Sequence, residues 1–113
     1  MSIHPGRYDD TIQRRVVYDM TLQFQDSNSK NIDLTGWTAA SQIWDKGRTT
    51  QYAAFTVTYV DRPNGIIKIS LTGVQTATLP DTCYYDVLLT DTTGRAEYYV
   101  EGVFSVKIGR AHV

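Results

Sequence analysis

The residues that could do chemistry are few and far apart. Two histidines, His4 and His112, stand near opposite ends of a chain of 113 residues, and Cys83 is the one cysteine. A zinc site needs about four ligands converging in a tetrahedron, and one thiol with two terminal imidazoles is a poor set. Two solvated histidines are the plainer reading. Cys83 follows the Pro80-Asp81 turn and enters a strand near Tyr84. With no basic partner near it in sequence, it reads as a small buried thiol rather than a nucleophile. Asp19 and Asp86 are carboxylates in mid-strand, each opposite the apolar set. A glycosidase would need such a pair facing across a cleft. A solvated outer face, or an edge charge that discourages wrong pairing, accounts for them without chemistry. Asp26-x-Asn28 and Asp91-x-Thr93-Gly94 have the flavour of calcium loops but lack the full ligand set. They read as turns. There is no Gly-x-Ser-x-Gly elbow or P-loop, and the glycines form no phosphate-cradling cluster. The chain reads as a non-enzyme with no cofactor and no metal.

Aromatic side chains are the informative excess. There are eight tyrosines, and the pairs Tyr84-Tyr85 and Tyr98-Tyr99 fall on predicted strands. Side chains alternate along a strand, so each pair puts one ring inward and one outward. An outward tyrosine can be a sugar platform or a protein contact. It can equally be half of a cross-strand pair on a wetted face. Trp37 and Trp44 lie on opposite sides of the strand between them, so one of them fills the core.

The elements that would position these residues are strands. Tyr18, Met20, Leu22 and Phe24 alternate with Asp19, Thr21 and Gln23, the pattern of a strand with one buried face. The same alternation marks Trp37–Trp44, Phe55–Tyr59, Ile67–Leu71, Tyr85–Leu89 and a long last strand from Ala96 to Ile108. Tyr98, Val100, Gly102, Phe104, Val106 and Ile108 share one register there, and Gly102 in mid-strand suggests a bulge or a close backbone approach. The expected interior is Tyr18, Met20, Leu22, Phe24, Ile43, Phe55, Val57, Ile67, Ile69, Leu71, Tyr85, Val87, Leu89, Phe104 and Val106. Asp61-Arg62-Pro63-Asn64-Gly65 predicts a tight hairpin, because Asn-Gly tolerates positive φ. Thr72-Gly73-Val74-Gln75 is a capping box before one short helix, over residues 73–79, which Pro80 stops. The fold class is therefore all-β: an immunoglobulin-like antiparallel sandwich of six to eight strands. Residues 14–109 make the sandwich and 110–113 a tail. Residues 1–13 make an N-terminal arm or a short edge strand. An arm holding Ile3, Tyr8 and Ile12 could dock on a neighbouring subunit, with Arg14 and Arg15 pairing its acidic groups.

Bulk composition excludes several classes. The chain is 42% apolar and 20% charged, the balance of a single globular domain. Its formal net charge is −1, and no basic run exceeds two residues. A nucleic-acid binder usually shows a basic stripe, so nucleic acid is not expected. No apolar stretch is long enough to span a membrane, and the N-terminus carries no secretory h-region. Synthesis and folding in a cytoplasm are expected.

One resemblance emerges from an ordered series of residues. It runs from Thr11-Ile12-Gln13-Arg14 through Asp26-x5-Ile32-Asp33-Leu34-Thr35-Gly36-Trp37-Thr38 to Ala40-x-Gln42-Ile43. It continues with Phe55-Thr56-Val57-Thr58, Gly65-Ile66-Ile67 and Ile69-Ser70-Leu71-Thr72-x2-Gln75-Thr76, and closes with Tyr85-Asp86-Val87-Leu88-Leu89 and Glu101-Gly102. This series resembles small β-sandwich domains of tailed-bacteriophage virions, of the tail-collar, baseplate and fibre-attachment type. The N-terminal domain of the baseplate upper protein is similar. The resemblance implies a structural virion protein that forms a ring or trimer, anchors tail fibres, and touches itself and other virion proteins. The chain ends soon after the sandwich, which favours an adaptor or collar over direct host binding. A capsid decoration protein and a carbohydrate-binding module are the alternatives. Tyr8, Ile12, Arg14, Arg15, Trp44, Tyr84 and Tyr98 are the candidate contact residues.

Overall fold

The computed structural model describes residues 6–108. Ile3, His4, Pro5, His112 and the expected tail lie outside them. Nine strands follow in order: β1 (Gly6–Arg7), β2 (Asp10–Arg14), β3 (Tyr18–Gln23), β4 (Thr38–Trp44), β5 (Gln51–Ala54), β6 (Thr56–Asp61), β7 (Ile66–Leu71), β8 (Thr82–Thr90) and β9 (Ala96–Ile108). One helix, α1 (Gly73–Ala77), separates β7 from β8. The larger sheet runs β9-β8-β4-β5, with β1 and β2 both on the free side of β9. The smaller sheet is β3-β7-β6. A sheet built on β4, β8 and β9 facing one built on β3, β7 and β6 is the immunoglobulin-like sandwich expected from the alternation.

The N-terminal segment is a strand of this sandwich. β1 and β2 keep one register on β9, Gly6 opposite Val100 and Asp10 opposite Phe104, and run parallel to it. They are one edge strand interrupted at Tyr8 and Asp9, so the sandwich spans eight strands when they are counted together. The boundary expected at residue 13 falls inside β2. Gly102 explains the interruption. A methyl group there would collide with the Tyr8 carbonyl oxygen, so the glycine serves a close backbone approach. That carbonyl accepts a hydrogen bond from Tyr85 Oη at 2.8 Å, and the Asp9 carboxylate accepts one from the Val103 N–H at 2.9 Å.

All the expected interior residues lie inside or pack against the core. At its centre Tyr85 stacks on Phe104 at 4.4 Å between ring centroids, and Tyr18 meets Phe104 edge-on at 5.2 Å. Ile12, Ile32, Leu34, Leu79, Cys83 and Val100 join this core beyond the expected set. Trp37 is the tryptophan that packs on the interior.

Three local features differ from expectation. The Pro63-Asn64 turn is a short 3-10 helix, Arg62–Asn64, closed by Gly65 at φ +72°, and Asn64 keeps a negative φ. α1 has the full capping box but ends at Ala77, two residues early. Its Thr76 hydroxyl is spent on the Val16 carbonyl, at 2.9 Å. In β9 the bulge lies at Tyr99 rather than at Gly102, because Val87 pairs with Val100 while Leu88 pairs with Tyr98. The extra residue turns Tyr98 outward, out of the face it would share with Val100, and sends Tyr99 toward Phe24.

Candidate functional site: a covered carboxylate on the larger sheet

The outer face of the larger sheet carries three rows of side chains across β4, β8 and β9. Trp44, Tyr84 and Val103 form one; Gln42, Asp86 and Glu101 the next; Ala40, Leu88 and Tyr98 the third. The rows follow from register alone, since directly opposed residues share a face.

A loop folds over the middle row. Asp45 organises it: its carboxylate accepts from the backbone N–H groups of Thr49 and Thr50, at 2.7 and 3.1 Å, and from the Thr49 hydroxyl at 2.7 Å. Those bonds hold the Asp45 carboxyl below its ordinary pKa, the Thr49 contact contributing most. Within the loop Arg48 takes φ +58°, a left-handed conformation that costs a non-glycine residue about 1 kcal/mol or more. This conformation returns the guanidinium to the sheet. Its Nη2 lies 2.6 Å from Asp86 Oδ2 and donates to Tyr98 Oη at 3.1 Å. The guanidinium also sits 4.8 Å from the Tyr98 ring centroid and 5.4 Å from that of Trp44, within cation–π range.

Asp86 is the anomaly of the molecule. It is 2% exposed, and while Arg48 lies against Oδ2, Oδ1 accepts no hydrogen bond. Arg48 pairs with Oδ2 at ion-pair distance and donates to Tyr98 Oη as well. Burial pushes the Asp86 pKa above its ordinary value; Arg48 opposes this and Glu101 adds to it. Beside it the indole Nε1 of Trp44 is also buried with no acceptor. Both lie on a cleft of about 180 Å³, with Arg7, Lys46, Tyr84 and Glu101 around it. The arrangement offers one unfilled acceptor, one unfilled donor and two aromatic rings. It has the composition of a binding site. The neighbouring thiol, Cys83, faces the other way, into the core, where burial pushes its pKa up to about 11. Among the described residues no three His, Cys, Asp or Glu side chains group to hold a metal.

The structure divides the expected contact residues between two places. Trp44, Tyr84 and Tyr98 come together on this face, and Tyr85 and Tyr99 turn inward. Tyr8, Arg14 and Arg15 lie along the N-terminal edge. Two of the expectations there are corrected. Ile12 is fully buried in its own sandwich and is no surface contact, because its strand completes the larger sheet. Arg14 is engaged within the chain, donating to the Leu79 carbonyl and pairing Asp81 at 2.6 Å. Asp86 is also corrected: it is covered, not solvated. Asp19 is exposed. The Asp26 and Asp91 loops are turns whose carboxylates accept their own backbone N–H groups. The sequence signal for the site was a lone carboxylate beside the apolar Val87-Leu88-Leu89 run, with aromatic neighbours on the same face.

No family model matches the chain, and no curated protein matches it. Among solved structures, the Lin-41 filamin domain is similar over 88% of this chain and 84% of that one, with 14% identity and a TM-score of 0.49.

Proposed function

We propose that this chain is a non-catalytic assembly module: a structural virion protein of the tailed-bacteriophage collar or baseplate type, which associates with copies of itself and with other virion proteins and helps anchor tail fibres. The observation that carries the assembly reading is the edge at β6. Among the described residues this strand pairs only with β7, and Thr56-Val57-Thr58-Tyr59-Val60 contain no lysine, proline or charge, the first charge coming at its last residue, Asp61. Open edges are normally blunted by such residues, and an unblunted one accepts a further strand. Val60, bulged out where the pairing with β7 shifts, is 54% exposed at its end. The resemblance of the ordered residue series to tail-collar and baseplate sandwiches supports the virion setting. A capsid decoration protein would use the same edge and differ in location.

Light scattering on the isolated chain tests the assembly. The native chain is expected to run as a discrete oligomer. Thr58→Lys, with an unchanged circular dichroism spectrum, is expected to run at monomer mass. A native chain that stays monomeric at every concentration would refute the reading, as would a variant that keeps the full oligomer. Immunogold labelling of particles tests the setting. Label at the tail tip or collar is expected, label on capsid faces would mean a decoration protein, and unlabelled particles would exclude a virion role.

A further inference from the structure

The buried carboxylate has no part in edge assembly, and it calls for its own explanation. Buried polar atoms in folded proteins almost always have partners, and an exception usually marks a site. Here two exceptions adjoin. Asp86 Oδ1 presents an acceptor and Trp44 Nε1 a donor N–H, both buried and both without a hydrogen bond, while Arg48 holds Asp86 Oδ2. A left-handed Arg48 covers the carboxylate, its side chain 42% exposed and so bordered by water.

The charges around the cleft narrow what it takes. A simple anion would suit Arg7, Lys46 and the Trp44 N–H, but would meet Asp86 and Glu101 and leave Asp86 Oδ1 unfilled. A simple cation would suit Asp86 and Glu101, but would compete with Arg48 already in place and leave the Trp44 N–H unfilled. A neutral group that donates and accepts at once fits both exceptions, and hydroxyl groups on adjacent carbons do this. The volume of about 180 Å³ is well below that of a pocket for a drug-sized molecule, which starts near ~300 Å³. It suits one small polyhydroxylated ring, with an aromatic wall for that ring's C–H face.

We propose that the Asp86 cleft binds a saccharide: adjacent hydroxyls of a pyranose donate to the Asp86 carboxylate, a ring substituent accepts from the Trp44 indole N–H, and Tyr84 lies against the apolar face of the ring. Arg48 is the cover, moving off the carboxylate as the sugar enters. This function is additional to assembly and does not depend on it. With a single ring and few contacts, the affinity is of millimolar order.

The test is a nuclear magnetic resonance titration of the ¹⁵N-labelled chain. The probes are glucose, galactose, mannose, N-acetylglucosamine, N-acetylgalactosamine and rhamnose, with sodium acetate and methylammonium as simple ions. The two indole N–H signals, of Trp37 and Trp44, serve as internal control and reporter. At least one sugar is expected to shift the Trp44 indole signal and the Tyr84–Asp86 and Glu101–Val103 amides saturably, leaving Trp37 in place. Trp44→Phe keeps the ring and removes the donor; it is expected to weaken that binding about tenfold, followed at the same amides, as the loss of one hydrogen bond would. Asp86→Asn, checked for native amide dispersion, is expected to do the same. If Asp86→Asn does not fold, Trp44→Phe decides alone. No saturable shift with any sugar would overturn the proposal, and so would sugar binding that folded variants leave unchanged. Saturation by acetate or methylammonium, with none by sugars, would overturn it in favour of an ion site.

Discussion

Two aspartates occupy similar places in two strands and have opposite fates. Asp19 in β3 and Asp86 in β8 both interrupt apolar alternation, and both point away from the core. Asp19 sits opposite Ser70, beside the Thr21–Lys68 pair, and is exposed among the described residues. Asp86 sits between Gln42 and Glu101 beneath a folded-back loop, and is shut off from water. Strand alternation decides which face a residue takes. What lies over that face is decided elsewhere, here by the Asp45–Thr50 turn and the left-handed Arg48. The smaller sheet thus contributes a plain face and an open edge, and the larger sheet a built site.

The difference can be broken by mutation. The largest effect is expected at Phe55, which packs between the sheets against Tyr18, Tyr85 and Phe104. Phe55→Ala should cost about 3–5 kcal/mol in urea melts, the scale against which either face is judged. Arg48→Ala comes next, at about 1–3 kcal/mol, because it leaves a buried carboxylate with no counter-charge. Asp86→Leu should cost less than Arg48→Ala, within about 1 kcal/mol of the native chain, since Arg48 can turn to solvent while the desolvation of the carboxylate is removed. An Asp86→Leu loss larger than that of Arg48→Ala would show that the pair is a net stabiliser. Asp19→Ala should fall within about 0.5 kcal/mol.

Titration sharpens the same contrast. The Asp86 pKa is raised on folding, so the folded state binds its proton more tightly than the unfolded chain does. Its contribution is favourable below the ordinary value of 3.8 and is lost as pH rises through the higher folded value. Asp26, Asp33, Asp45 and Asp91 act in the opposite sense. Hydrogen bonds within their turns lower their pKa values, so their contribution is present at neutral pH and lost on acidification. The stability of the native chain relative to Asp86→Asn should therefore fall as pH rises from about 4 to 7. Paired melts across that range check the sign, and a rising difference would contradict the burial of Asp86.

Much of the fold was legible because alternation is local. Tyr18 to Phe24, or Ile67 to Leu71, show their buried face in seven and five residues. Features that depend on distant partners were not legible. Ile12, between polar neighbours, looks like an arm residue until β9 is placed beside it. The Tyr99 bulge, which exposes Tyr98, arises only from pairing with β8. The candidate site was half legible: each tyrosine pair must put one ring outward and one tryptophan must leave the core, but which of each does so depends on the pairing, and for Tyr98 on the bulge. Arg48 reads as one charge in a polar loop, and its union with Asp86 depends on a turn held by Asp45.

The central claim is a division of labour, with assembly at the β6 edge and the Asp86 face left free. Hydrogen exchange of the native chain at two concentrations, one below and one above assembly, tests it most directly. Amides of Thr56–Val60 should become protected in the assembled sample, while those of Tyr84–Asp86 and Glu101–Val103 exchange alike in both. Protection that appears over the Asp86 face and not along β6 would contradict the account.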